Sequence, residues 1–207
     1  MKILKGLLAG LLALILLVFI FQEPLKEVVY ERLTAEMFVA IDDDDFDPGI
    51  AVSATLPTLQ LAQNGAALKS LKSFSTERGA AIYFVRSIDW CPYCIQQMRE
   101  LEQVAQNYRD SGIGLVAITY DSATLQQGFV ELYGISYPLL SDETSTSIKA
   151  LGLLNEEHQP GDWAYGIPHP GVIFIDSEQQ VRGKVFLRDY RQRVTATAVF
   201  ELADQIL

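Results

Sequence analysis

Two cysteines, Cys91 and Cys94, and two histidines, His158 and His169, are all that 207 residues offer of the softer metal-binding side chains. A structural zinc site wants four Cys or His ligands, and these histidines lie far from the cysteines in sequence, so zinc is excluded. A purely structural bridge is disfavoured as well, because closing so short a loop removes little entropy from the unfolded chain. Positive charge is scarce: 16 Lys and Arg face 26 Asp and Glu, a net −10. With no basic patch or stripe, nucleic-acid binding is excluded. There is no internal repeat, and no cofactor or resident metal is expected.

What is there is Trp90-Cys91-Pro92-Tyr93-Cys94. Upstream, Ala80 to Val85 is a short continuous apolar run, the signature of a strand covered on both faces. Downstream, Ile95, Met98, Leu101, Ala105 and Tyr108 recur at helical spacing as far as Ser111-Gly112. The cysteines therefore sit where a buried strand hands over to a helix. Unpaired N–H groups at a helix N-terminus favour thiolate over thiol. Two intervening residues let Cys94 reach Cys91 and resolve a mixed disulfide formed there. Pro92 fits the first helical turn, and Trp90 is placed to shield the sulfurs.

Residues 1–21 begin with Lys2 and Lys5 and continue as an apolar run from Gly6 to Phe21, the pattern of a signal-anchor or transmembrane segment. No small-residue cleavage site follows closely, which favours an uncleaved membrane helix. Charges before and after the run place the N-terminus in the cytoplasm and the catalytic domain on the non-cytoplasmic side, where disulfide chemistry is permitted. Residues 22–49 read as a juxtamembrane helix, with Leu25, Val28, Val29, Leu33 and Met37 at near-helical spacing, followed by an acidic linker. The run Asp42 to Asp45 with Asp47 lacks the glycine and distal glutamate of a calcium loop and reads as solvated. Residues 50–207 form one domain.

In that domain a hairpin is expected around Leu59, Leu61, Asn64-Gly65 and Leu68. Strands follow at 80–85, 114–120, 172–175 and 181–187. Helices are expected after Cys91, after an Asp121-Ser122 cap with Gly134 as the stop, at 146–151, and at 195–207. This alternation implies an α/β fold, a central mixed sheet flanked by helices.

Together the hairpin, the strand running into WCxxC, Ile118 to Ser122, Tyr133 to Asp142, and Gly166 to Asp176 resemble the thioredoxin-like fold. Within it they are similar to the redoxin branch, of alkyl hydroperoxide reductase and thiol-specific antioxidant (peroxiredoxin) type, over roughly residues 50–207. The resemblance implies that Cys91 is the exposed nucleophile and Cys94 the resolving cysteine. Pro170 falls where this fold places a cis-proline that presents backbone to substrate, and His169 would then lie beside the sulfurs. Trp90, Pro92, Tyr93, His169 and Pro170 form the supporting or substrate-binding set. The peroxiredoxin Pro-x-x-x-Thr-x-x-Cys pattern is missing before Cys91, and Pro170 replaces the arginine such proteins carry. Thioredoxin's buried acid has no counterpart in Ile82 to Val85; Asp89 is close in sequence, though solvent exposure suits it better. The resemblance therefore implies a membrane-anchored thiol-disulfide oxidoreductase acting on protein disulfides or thiols with a separate electron donor. A thiol peroxidase with antioxidant function is the alternative, and a copper-binding chaperone using Cys91, Cys94 and His169 stands third.

Overall fold

The computed structural model describes residues 25–68 and 70–207. The membrane segment expected at 1–21 lies outside them, and no helix among the described residues is long and apolar enough to cross a membrane. The chain divides into two units after Ala35. In the first, helix α1 is described over residues 25–34, with Leu25, Val28, Val29 and Leu33 exposed along it. Met37, expected on the same stripe, is instead buried in the second unit.

The second unit, residues 36–207, has strands β1 (Phe38–Val39), β2 (Ala62–Gln63), β3 (Ala66–Ala67), β4 (Ala80–Phe84), β5 (Gly114–Thr119), β6 (Leu139–Ser141), β7 (Gly171–Ile175), β8 (Val181–Phe186) and β9 (Arg193–Val194). Its helices are α2 (Pro92–Asp110), α3 (Ala123–Tyr133), α4 (Thr146–Ala150) and α5 (Ala196–Ile206). The main sheet runs β3-β2-β6-β5-β4-β7-β8. β4 pairs parallel with β5 and antiparallel with β7, so it lies inside a mixed sheet. Every residue of β4 is buried, which is why its sequence shows no polar alternation. Asn64 and Gly65 both have positive φ, the requirement of a tight hairpin turn, and join β2 to β3 as expected. Gly171 opens β7 against the Phe186 ring of β8; a Cβ there would meet Phe186 Cδ1 far inside van der Waals contact. α2 packs on α5 and β5, and α3 on β6.

The acidic run is largely exposed, as expected, but some of its carboxylates also bind a sheet edge. β8 is an edge strand, and the Asp42 carboxylate accepts the Phe186 N–H at 3.1 Å while Asp44 accepts that of Arg188 at 2.8 Å. Asp47 pairs at 2.6 Å with Lys184, whose side chain is only 4% exposed. The carboxylates thus cover open backbone donors of a sheet edge, a pairing between residues more than a hundred positions apart that no local pattern reveals. The same strap supplies β1, which pairs parallel with β9, Phe38 opposite Arg193.

Candidate active site

β4 delivers the chain to the dithiol through Val85 to Trp90, and a buried acid shapes that loop. Asp121, at the end of β5, accepts the Ser87 hydroxyl at 2.7 Å and the Ile88 N–H at 2.9 Å. Burial raises its pKa, with the Ile88 and Ser87 bonds opposing the rise. This acid, two residues past β5 and at a position that reads in sequence as part of a helix cap, braces the loop and bonds to neither sulfur. Asp89 is exposed.

Cys91 is the N-cap of α2: its Sγ accepts the Cys94 N–H at 3.3 Å, with Pro92 in the first turn. The two cysteines are not joined in a disulfide. Cys91 is 1% exposed and Cys94 fully buried, which corrects the expectation of an exposed nucleophile. Aromatic groups from distant loops flank the motif. The Trp90 indole N–H donates to the Tyr120 hydroxyl at 3.0 Å, and its ring meets the edge of Trp163, centroids 4.6 Å apart. Tyr93 meets Tyr190 edge-on at 6.2 Å.

A cation that the sequence did not point to completes the centre. Arg193, buried in β9, donates from Nε to Gln97 at 2.8 Å, from Nη1 to the Tyr190 and Gln192 carbonyls, and from Nη2 to Cys94 Sγ at 3.7 Å. In sequence it reads as part of a charged surface loop, Arg191-Gln192-Arg193. Burial opposes ionisation of Cys94. The hydrogen bond with Cys91, the Arg193 charge, the backbone of Ser87 and the Arg86 charge outweigh it and bring Cys94 down to about 6. Cys91 moves far upward, through its hydrogen bond with Cys94, burial and repulsion from the Cys94 charge. Cys94 is therefore the more readily ionised of the two, through its bond with Cys91 and the guanidinium at 3.7 Å.

The remaining expected residues fall as follows. Pro170 lines a narrow crevice with Gln97 and Arg193, and neither cysteine is among its lining residues. It is not cis: the described residues contain no cis peptide bond. Its segment runs extended, held by Asn155 N–H to Ile167 and His169 N–H to Leu153, and enters β7 without a tight turn to demand the minority isomer. His169 does not bond to either sulfur; its ring packs edge-on against Phe46 at 5.0 Å. Burial lowers its pKa, Glu157 and Glu156 oppose this, and Arg86 adds to the lowering. Among the described residues no group of three or more His, Cys, Asp or Glu is placed to hold a metal.

Comparison with known proteins agrees with this geometry. The thiol-disulfide oxidoreductase ResA of Halalkalibacterium halodurans is 31% identical over 94 residues, 44% of this chain and 46% of that protein. ResA of Bacillus thuringiensis is 24% identical over 114 residues, 51% of this chain and 58% of that protein. The chain thus spans about half the length of the curated relatives it matches. Among solved structures, a thiol peroxidase from Chromobacterium violaceum superposes with a TM-score of 0.63 at 22% identity, covering 82% of this chain and 92% of that one. Peroxidoxin BcpB from Mycobacterium tuberculosis gives 0.61 at 18%, covering 75% and 94%. These likenesses show the thioredoxin-like fold. The sequence pattern of the AhpC/TSA family matches residues 52–184, well over half of the chain, and the protein belongs to that family.

Proposed function

We propose that the protein is a thiol-disulfide oxidoreductase, anchored by residues 1–21 with its catalytic domain on the non-cytoplasmic side, and acting on protein disulfides or thiols. The observation that carries this reading is the buried dithiol at the start of α2, where Cys91 Sγ accepts the Cys94 N–H and Cys94 Sγ accepts from the Arg193 guanidinium. The name of the ResA relatives supports it.

The geometry supports the following cycle. Cys91, the N-cap thiol, passes its proton to the Cys94 thiolate along their hydrogen bond and attacks one sulfur of the substrate disulfide. The leaving thiolate takes up a proton. Cys94, whose ionisation Arg193 favours, then loses its proton and attacks Cys91. That expels the second substrate thiolate, which is protonated in turn. Two electrons pass from the pair to the substrate, with the one proton the pair held and a second taken from solvent. The reverse sequence oxidises thiols, and a separate donor or acceptor resets the pair.

One observation favours a second reading, thiol peroxidase. Peroxiredoxin-type chemistry needs a cation beside a thiolate, and Arg193 supplies one from β9. In that case the thiolate becomes a sulfenic acid and the other cysteine condenses with it. The full chain, assayed for insulin-disulfide reduction and for peroxide consumption with Cys91→Ser and Cys94→Ser alongside, separates the two. Disulfide turnover exceeding peroxide turnover, and lost in both variants, is expected. Peroxide turnover far in excess overturns the first reading.

A further inference from the structure

Arg86 follows β4, two residues past its end, and is only 6% exposed. Its guanidinium lies 4.0 Å over the Tyr190 ring and 5.5 Å from that of Trp90. Its Nε is fully buried with no hydrogen-bond partner. The other buried cations are served: Lys184 has Asp47 and the Pro48 carbonyl, and Arg193 has Gln97, two carbonyls and a sulfur. Arg86 has two aromatic faces and an Nε–H that donates to nothing. Contacts of that kind are worth roughly 0.5–2 kcal/mol, less than the desolvation of a guanidinium.

Nothing fixed beside it supplies the missing negative charge. Asp121 is committed to Ser87 and Ile88, and Asp89 is exposed. Arg86 does act on the dithiol charge at Cys94, but Arg193 acts on it more strongly, and the charge vanishes when the disulfide forms. The oxidised centre then holds two buried guanidiniums and no charged sulfur. A guanidinium stacked on aromatic rings keeps its edge for bonding, and a planar fork of N–H donors fits the two oxygens of a carboxylate. Entry has a ready route: Tyr190, 40% exposed in the loop joining β8 to β9, is the ring that covers Arg86.

We propose that Arg86 is a carboxylate-binding subsite of the dithiol centre. A substrate disulfide carrying a carboxylate near its sulfurs seats that group on the Arg86 guanidinium as Tyr190 swings aside. The carboxylate is the Asp or Glu side chain beside a protein cystine, or that of a small free disulfide. The inference rests on the disulfide-exchange reading and gives it a substrate class, acidic disulfides.

The full-length reduced protein is tested with dithiodipropionate, hydroxyethyl disulfide and cystamine, which are anionic, neutral and cationic. Each rate is divided by that of the same disulfide with dithiothreitol. The wild type is expected to favour dithiodipropionate over cystamine by roughly 10- to 100-fold, the worth of one charge-assisted hydrogen bond. Arg86→Gln should bring that ratio near unity, and Arg86→Lys should restore part of it. Cystine-bridged peptides with Glu or Gln beside the bridge identify the source: preference for the Glu peptide assigns the site to proteins, preference among the small disulfides alone to a free ligand. A ratio near unity in the wild type for both sets overturns the subsite. The second measurement needs neither turnover nor a variant: thiodipropionate, a thioether that cannot be reduced, should change Trp90 and Trp163 fluorescence on binding the wild type. Binding without disulfide turnover keeps the subsite and sinks the exchange reading, whereas turnover with neither preference nor binding does the opposite.

Discussion

Replacing Arg193 by glutamine removes the one full charge in contact with Cys94 while leaving a side chain able to bond Gln97. At 3.7 Å, two unit charges interact by about 4.5 kcal/mol at an effective dielectric of ~20. The guanidinium charge is spread over three nitrogens, so about 3 kcal/mol is the fairer figure, equivalent to ~2 pKa units. The first thiol ionisation should therefore move from about 6 to ~8. Thiolate ultraviolet absorbance against pH reads it directly, with Cys91→Ser and Cys94→Ser assigning the step and circular dichroism verifying the fold. Arg193→Lys, which keeps the charge, should retain most of the depression. A stabilised thiolate also favours the reduced form, so Arg193→Gln should shift equilibrium with glutathione towards the disulfide. An unchanged ionisation step in a folded Arg193→Gln protein, or a low-pH step that survives in Cys94→Ser, would refute the assignment of the charge to Cys94.

The same pair makes stability depend on pH in two opposite senses. From about 6 to the ordinary cysteine value of 9.0, the unfolded chain binds a Cys94 proton that the folded protein has lost, so stability rises with pH. Above 9.0 the folded protein keeps a Cys91 proton that the unfolded chain releases, and stability falls. Urea midpoints of the reduced protein, less those of the Cys91→Ser/Cys94→Ser protein, should peak near 9.0; a flat difference contradicts the opposed shifts of the two cysteines. Asp121→Ala strands the Ser87 hydroxyl and the Ile88 N–H, and should cost ~2–4 kcal/mol in chemical denaturation while faster iodoacetamide labelling of Cys91 reports the loosened loop. Gly171→Ala drives a methyl into the Phe186 ring and should lose ~1–3 kcal/mol, recovered in part by Phe186→Leu; additive losses would show that the ring is not the obstacle.

Legibility followed distance along the chain. β4, α2 and the Asn64-Gly65 hairpin were readable because a continuous apolar run, a helical stripe and a two-residue turn each encode their structure within a few residues. The dithiol was readable for the same reason, its cysteines being three residues apart in the first turn of α2. Arg193 was not, since its sulfur partner lies 99 residues away and its neighbours Arg191 and Gln192 are exposed. Nor was the bracing by Asp121, which reaches 34 residues back to Ser87. The ring contacts of Trp90 with Trp163 and of Tyr93 with Tyr190 likewise join distant loops and leave no local mark. His169 shows the converse: the resemblance placed it near the cysteines, but Phe46, from the unforeseen strap, takes its ring.

That strap connects the fold to the chemistry. Arg193 does not hold its place through its own side chain alone: its N–H donates to the Met37 carbonyl, and Thr195 N–H donates to that of Val39, so β9 is aligned by β1. β1 in turn leads into the carboxylates that bind the edge of β8 at Phe186 and Arg188. Residues 36–47 thus touch no sulfur yet set the position of the cation that favours the Cys94 thiolate. Removing everything before Pro48 should raise the first thiol ionisation towards the value of Arg193→Gln, by up to ~2 pKa units, and make the amides of Phe186 and Arg188 exchange faster with solvent. Alanine at Asp42 and Asp44 together should release those two amides while β1 stays paired, leaving the ionisation nearly in place. If truncation frees the amides but the thiolate step does not move, β9 holds Arg193 without the strap, and the coupling from the N-terminal segment to the dithiol is wrong.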